Sequence, residues 1–257
     1  MTIRFVLTLM WISLLGGMSL SSTAHAGCGP ERLTTQETSS LDMDAQLPSD
    51  TVVRRNPENE TIAYLQGENL SQGMEEDETF RRLQSENLLP QIALSFLNAH
   101  RSFFKLIQPA DELRVKSLKT DNLGLKHVRF EQVFEGLAVW ACEIIVHLDT
   151  SNHVYLLQGR YIPTPKDVNT RAGLSPEEAC RIVANDLEAQ GFDHKECRPE
   201  LVIFVQTGDI PHLTYQVSVT PSLVEAWIFM IDAETGDVLM RLSNIHTGRV
   251  KGVLQGR

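Results

Sequence analysis

HVRFEQVFEGLAVWACEIIVHLD, from His127 to Asp149, is the stretch that decides the fold. Its first half alternates between two sets of side chains, one of which is Val128, Phe130, Gln132 and Phe134. After Gly136, which suits the positive φ of a tight reversal, every second residue again points one way: Ala138, Trp140, Cys142, Ile144, Val146 and Leu148. This period of two predicts two antiparallel strands with one apolar face and one mixed face.

An amphipathic helix is predicted before this hairpin, between Pro90 and Pro109. Its side chains form one stripe of period 3.6: Ala93, Phe96, Leu97, His100, Phe103, Phe104 and Ile107. Four strands are predicted after it, over residues 113–118, 125–134, 137–148 and 153–162. The helix needs a sheet to cover, and these strands supply one.

The same plan recurs after the Pro-containing linker at residues 163–173. Ser175 to Glu178 forms a capping box with Pro at the first helical position, which predicts a helix start there. Strands are predicted over residues 200–206, 213–219, 225–231 and 237–243. The sequence therefore predicts an α+β fold of two modules, each an amphipathic helix packed on a four-stranded antiparallel sheet.

The N-terminus has the three-part layout of a secretory signal peptide over residues 1–26. We expect cleavage between Ala26 and Gly27, and a secreted or periplasmic protein. Lipoprotein anchoring at Cys28 is the less favoured alternative, because His25 stands where a large aliphatic residue is usual. We expect no transmembrane segment, because no other stretch is long and apolar enough to cross a membrane.

The charge of the chain is concentrated in its first third. The formal net charge is −10, and residues 27–80 hold twelve acids against three Arg. We expect an acidic, disordered leader over residues 27–60, because its apolar content is too low to offset the entropy of ordering. Nucleic acid is disfavoured as a partner, because the sequence has no Lys/Arg stripe for phosphate contacts.

The four cysteines predict at most a structural role. Three full pairings are open in principle, and Cys180 with Cys197 is the pair that chain geometry favours. Cys142 falls on the apolar face of its strand, where a buried free thiol is expected. Zinc binding is disfavoured, because there is no CxxC pair and no cluster with histidine at ligand spacing.

No catalytic constellation is found. The sequence has no HExxH, GxSxG or phosphate-cradling glycine motif. His147 and His153 flank a predicted turn and are close enough in sequence to meet across it, although two surface histidines are the favoured interpretation. We therefore expect a protein that is not an enzyme and needs no cofactor or metal.

The hairpin resembles the fungalysin/thermolysin propeptide module, which we place at residues 61–162. The motif residues that carry the resemblance are His127, Phe130, Gln132, Gly136, Val139 and His147. Residues 174–245 resemble a PepSY domain through Leu174 to Ala179 and through Asp232, Thr235 and Gly236. These two modules occur in this order in the pro-regions of thermolysin-like zinc metalloproteases.

The resemblance implies a folding chaperone and inhibitor whose partner is the catalytic domain of such a protease. Two alternatives stay open: the pro-region of a zymogen whose catalytic domain is missing from this chain, and a periplasmic binding module that reuses the PepSY fold. A basic, Gly-rich tail is expected at residues 246–257. The candidate cleft-contacting residues lie where the tail begins, at Ile245, His246, Thr247, Gly248 and Arg249. A solvated linker is the alternative for this tail.

Overall fold

The structure, a computed structural model, describes residues 47–48, 50–166, 168–187, 197–205, 210–222 and 225–243. The predicted signal peptide with its cleavage site at Ala26 and Gly27 lies outside the described residues, and so does the tail from Ile245 to Arg257. What the sequence predicts for these two segments therefore stays a prediction.

The described residues form four α-helices, one short 3-10 helix (Met74–Glu76) and ten strands. The helices are α1 (Glu78–Ser85), α2 (Leu89–Ala99), α3 (Pro109–Glu112) and α4 (Pro176–Asp186). The strands of the first half are β1 (Val52–Arg55), β2 (Ile62–Gln66), β3 (Leu113–Thr120), β4 (Lys126–Phe134), β5 (Leu137–Leu148) and β6 (Val154–Arg160). Those of the second half are β7 (Glu200–Val205), β8 (Pro211–Ser222), β9 (Glu225–Asp232) and β10 (Val238–Ser243).

All ten strands belong to one sheet, and β5 is its branch point. Strand β4 pairs along one side of β5, and β3 pairs beyond β4. The other side of β5 is divided: β6 pairs antiparallel with residues 143–148, while β7 pairs parallel at Ala138 and Val139. Strands β2 and β1 continue beyond β6, and β8, β9 and β10 continue beyond β7.

The mixed α+β class is confirmed, but the two separate four-stranded sheets are replaced by one continuous sheet. The period of two marks where a strand runs and which residues share a face. It carries no information on which strand lies beside it. The twelve residues of β5 are enough to pair with two different strands on one side, and that length joins the two halves.

A bulge in β5 breaks the predicted single apolar face. Ala141 has a φ of 55°, in the left-handed region that a non-glycine residue rarely adopts. Beyond this point Cys142 is buried in the main core, whereas Trp140 packs on the opposite face against Phe204 at 5.5 Å between ring centroids. The prediction that Ala138 and Trp140 share a face with Cys142 is wrong, because the bulge shifts the alternation.

One continuous core covers the other face of the sheet. Helix α2 contributes Ile92, Ala93, Phe96 and Leu97, all fully buried. The helix ends at Ala99, earlier than predicted, and the turns after it keep Phe103 and Phe104 in the core. The same cluster extends through strands of both halves to Ala179, Val217 and Ile231.

Part of the segment predicted to be a disordered leader is a strand. Val52–Arg55 forms β1, which pairs with β2 at the edge of the sheet. Two Arg side chains fix it by lying over aromatic rings: Arg54 over Tyr64 at 5.3 Å and Arg55 over Phe103 at 5.2 Å. The acidic composition around this strand hides a short apolar and basic stretch that pairs with the edge of the sheet.

The structure contains the disulfide that the chain geometry favours, and Cys142 remains free. Cys180 on α4 is disulfide-bonded to Cys197, just before β7, with a Cα–Cα distance of 5.9 Å. Cys142 is buried and free. Burial raises the pKa of the Cys142 thiol to about 11, although Arg160 acts in the opposite direction. This thiol is therefore protonated and unreactive near neutral pH.

Gly159 on β6 gives the first testable prediction. A Cβ at this position would lie 2.4 Å from the Glu143 carbonyl oxygen and 3.0 Å from the Ile144 Cα. Because both are backbone atoms, we expect Gly159→Ala to reduce the free energy of unfolding by about 2 kcal/mol or more. Urea unfolding measures this.

Gly173→Ala is the matched control. Its nearest contact would be the Glu234 Cα at 3.6 Å, an ordinary van der Waals distance, so we expect a change within about 0.5 kcal/mol. Equal stability of the two variants would contradict the close approach of β6 to β5.

Candidate functional site

The β4–β5 hairpin turns on two residues with positive φ. Glu135 has a φ of 48° and Gly136 a φ of 84°, between the paired residues Phe134 and Leu137. Positive φ at both central residues is the pattern of a type I′ turn, whose twist matches that of the flanking strands. The role predicted for Gly136 is therefore structural, and Glu135 shares it.

Three further motif residues are buried and stabilise the sheet from its core side. Phe130 and Val139 are buried in the main core. Gln132 is completely buried and lies opposite the bulge, since the residues on either side of it pair with Glu143 and Ala138. All three are therefore inaccessible to a partner.

The Gln132 amide replaces the strand partner that the bulge removes. Its Nε2 donates to the Ile162 carbonyl oxygen at 2.8 Å, and its Oε1 accepts from the Ile162 N–H at 3.1 Å. Each such bond contributes about 1 kcal/mol, and an unmade buried bond costs more. Gln132 thus fixes the chain where it leaves β6.

A buried carboxylate does the same for the neighbouring segment. Glu112 accepts from the N–H groups of Ile107 and Gln108 at 2.8 and 2.6 Å, and from the Thr164 hydroxyl at 2.5 Å. Three donors compensate the burial of this acid. We did not single out Glu112 from the sequence, because an acid next to a Pro-started helix usually faces solvent.

The two motif histidines contact each other on the open face, by which we mean the face of β4 and β5 opposite the main core. His127 and His147 are cross-strand partners, and their Nδ1 atoms lie 2.6 Å apart. Asp121 lies 3.4 Å from His127 Nε2. His153 contacts Asp149 rather than His147, and the favoured interpretation of two surface histidines is wrong for His147, which is buried.

Only one of the two facing Nδ1 atoms can carry a proton, so this contact requires that at least one ring be neutral. His147 is the buried member, and its Nε2 makes no hydrogen bond to a described residue. Burial, and next the charges of His127 and Arg129, lower the pKa of His147 to about 4. Protonation of His147 therefore opposes the fold.

The second prediction concerns pH. The unfolded chain binds a proton at His147 near its ordinary pKa of 6.5, whereas the folded chain does so only near 4. Stability from this group is therefore present above pH 6.5 and is lost as the pH falls towards 4. The shift corresponds to about 3 kcal/mol.

Urea unfolding of the wild type and of His147→Gln over this range isolates the histidine. We expect the stability advantage of the wild type to shrink by about 3 kcal/mol between about pH 7 and about pH 4. Parallel stability curves for the two proteins would contradict the burial of a neutral His147.

The motif residues of the second half, Asp232, Thr235 and Gly236, lie at a turn. Asp232 Oδ1 accepts from the N–H groups of Glu234 and Thr235, each at 2.9 Å, and Gly236 has a φ of 82°. Burial raises the pKa of Asp232, but these N–H groups and His212 outweigh it and leave the pKa below its ordinary value. Asp232, Thr235 and Gly236 thus shape the β9–β10 connection.

Charged side chains cover the open face around β3, β4 and β5. Glu143 forms ion pairs with Lys116 and Arg129, and Arg114 pairs with Glu131 at 3.0 Å. Hydrogen bonds from Lys116, and next from Arg129, lower the pKa of Glu143 against the effect of burial. Sequence reasoning missed this network, because it depends on the pairing of three strands.

The described part of the chain contains neither a metal-ligand cluster nor a membrane-spanning helix. No group of three or more His, Cys, Asp and Glu side chains is placed to hold a metal ion there. None of the helices in that part of the chain is long and apolar enough to cross a membrane.

The hairpin decides which known proteins this chain is similar to. Residues 111–161 match the Fungalysin/Thermolysin Propeptide Motif. This propeptide motif runs from α3 through β6, so it contains His127, Phe130, Gln132, Gly136, Val139 and His147. The resemblance expected from these residues is confirmed for this range, whereas no comparison shows a PepSY domain.

Similarity to whole proteases extends beyond the propeptide motif. The chain is 27% identical over 172 residues to thermolysin of Alicyclobacillus acidocaldarius subsp. acidocaldarius, which covers 63% of this chain and 31% of that protein. It is 26% identical over 153 residues to bacillolysin of Bacillus amyloliquefaciens, covering 56% and 29%. The chain thus spans about a third of the length of these relatives.

Among solved structures, the chain is similar to the Bacillus megaterium YpeB C-terminal domain. The alignment has 12% sequence identity and a TM-score of 0.32. It covers 81% of this chain and 97% of that one.

Proposed function

We propose that this protein is a secreted propeptide that folds and inhibits a thermolysin-like zinc metalloprotease. The observation that carries the proposal is the propeptide motif at residues 111–161, within a longer similarity to thermolysin and bacillolysin. A propeptide motif is a non-catalytic element, in keeping with a chain that carries no HExxH. The chemistry then belongs to the partner, whose catalytic domain matures against this surface.

The construction of the sheet supports a role in binding. The motif residues Phe130, Gln132 and Val139 are buried and rigidify the hairpin from the core side. The opposite face of β3, β4 and β5 carries paired charges that the strands hold in fixed positions. Such preorganised surfaces bind with little loss of conformational entropy.

The remaining sequence predictions complete the proposal. Residues 1–26 act as a signal peptide cleaved between Ala26 and Gly27, and residues 174–245 form a PepSY-like module. The segment from Ile245 to Lys251, with His246, Thr247, Gly248 and Arg249, enters the cleft of the protease as an extended strand. The fold then serves as an anchor that brings this segment to the cleft.

A second candidate is that the same unit acts in cis, as the N-terminal pro-region of a longer zymogen. The observation that favours it is length, because the matched thermolysins are about three times as long as the part they share with this chain. Both candidates give this chain the same partner. They differ in whether the chain meets that partner as a separate molecule.

Inhibition tests the proposal directly. The purified chain is mixed with the mature catalytic domain of the Alicyclobacillus thermolysin, and cleavage of a fluorogenic peptide is followed. We expect dose-dependent inhibition and a higher yield of active enzyme when the unfolded catalytic domain is refolded in its presence. The chain alone should cleave nothing.

Two controls sharpen the result. A serine protease such as subtilisin should keep its full activity, because the contact is specific to the metalloprotease domain. A chain that lacks residues 245–257 should still bind but inhibit less, whereas unchanged inhibition would make the tail a solvated linker. Absence of both inhibition and folding assistance would contradict the proposed function.

A further inference from the structure

Strand β3 forms an open edge of the sheet inside the propeptide motif. It pairs with β4 on one side, and no described strand pairs with its other side. Its eight residues, Leu113–Thr120, extend over roughly 27 Å at the usual rise per residue. A bulge interrupts this edge between Val115 and Ser117, and the residues on either side of it present backbone donors and acceptors that can pair with another extended chain.

The edge has an exposed apolar side. Val115 pairs with Phe130 and Leu118 with Val128, and both partners are fully buried, so the two β3 side chains extend the core face sideways. Both side chains are only partly covered, since Val115 is 43% exposed and Leu118 is 47% exposed. An edge designed only to repel neighbours would carry charges in these positions.

The other side of the edge is basic. Arg114, Lys116 and Lys119 are the charged residues of β3, and no acid accompanies them. Lys119 forms no ion pair with any described residue. Arg114 pairs with Glu131 on β4, and Lys116 pairs with Glu143 on β5. Residues 113–134 hold five Lys and Arg against two acids, a net charge of +3 in a chain of −10.

The positive charge of β3 determines which kind of chain can pair with this edge. Pairing of β3 with β3 of a second copy would bring Arg114, Lys116 and Lys119 against the same residues, and like charges across a strand pair are destabilising. An acidic extended segment gains above all from Lys119, the one cation of β3 that no described acid neutralises. Electrostatic complementarity of this kind fixes register and increases the rate of association.

The other two sheet edges lack this combination. Strand β1 has four residues, which allows few bonds to an added strand. On β10 the cation Arg241 is already engaged, at 2.8 Å from Asp186 and at 4.2 Å over the Trp227 ring. Strand β3 is therefore the edge best suited to take an acidic strand.

We propose that β3 binds the metalloprotease catalytic domain by strand addition, with an extended acidic segment of that domain pairing along Leu113–Thr120. Lys119 recognises its carboxylates, and Val115 and Leu118 cover its apolar side chains. This inference rests on the proposed function and names the surface through which it acts.

The test compares variants of the full chain for binding to a catalytically inactive form of the Alicyclobacillus thermolysin catalytic domain, by titration calorimetry. Lys119→Glu and Leu118→Ser each alter an exposed β3 side chain, and urea unfolding checks that both fold. We expect about tenfold weaker binding for each, with the effect of Lys119→Glu reduced at high salt. Hydrogen exchange of the wild-type complex should show slowed amides in β3.

Matched controls lie elsewhere on the surface. Leu242→Ser alters the β10 edge at a side chain of nearly equal exposure, 44%, and Lys166→Glu reverses an exposed charge in the linker. Both should bind within about twofold of the wild type.

The outcomes separate the two proposals. Wild-type binding with β3 variants equal to the controls, or with β3 amides unprotected, would overturn strand addition and leave the proposed function standing. Failure of the wild type to bind or inhibit would overturn the proposed function, and strand addition with it. Weaker binding confined to the β3 variants, with protected β3 amides, is the result we expect.

Discussion

The pairing of β5 with both β6 and β7 along one of its sides is the constraint on which the rest of the structure depends. Residues 143–148 belong to the first half of the sheet, while Ala138 and Val139 begin the second. Ala141 lies between these regions with positive φ, so the alternation of side chains between the two faces shifts by one residue while the strand continues. One strand thereby serves two half-sheets, and a single core covers them.

This arrangement explains why so many motif residues are structural. A bulged strand loses ladder hydrogen bonds and must replace them. Gln132 supplies the replacement on the first side, through both hydrogen bonds to Ile162. In the second half Asp232 plays a similar part by accepting from two N–H groups of the turn that follows β9. The ion pairs of the open face have fixed positions, because the strands that carry them pack on a closed core.

Much of the fold could be predicted from the sequence, for a physical reason. Alternation and helix caps are local, so the strands from β3 to β10 and the capping box at Ser175 lie close to their predicted positions. The pairing of β5 with β7 could not be predicted, because it joins residues about sixty positions apart with no local signal. The face of Trp140 was wrong for a related reason: one residue at positive φ reverses the alternation, and an alanine gives no warning of it.

The candidate site was predictable only as a set of residues. His127 and His147 were identified from the motif, but their mutual contact depends on strand register. The basic edge at Lys119 could not be predicted either. A lysine in a strand indicates a charged sheet edge only when the strand is known to pair on one side alone, and the sequence does not show this. Strand β1 was missed since acidic flanks dominate the composition of its segment.

The central physical claim is that the two halves form one cooperative unit through β5. The most direct measurement is denaturant unfolding followed by the fluorescence of one tryptophan at a time: Trp140 on β5 or Trp227 on β9, with the other tryptophans replaced by Phe. The account predicts that both probes report one transition with the same midpoint and slope. Two separate transitions, with Trp227 lost while Trp140 stays native or the reverse, would contradict it.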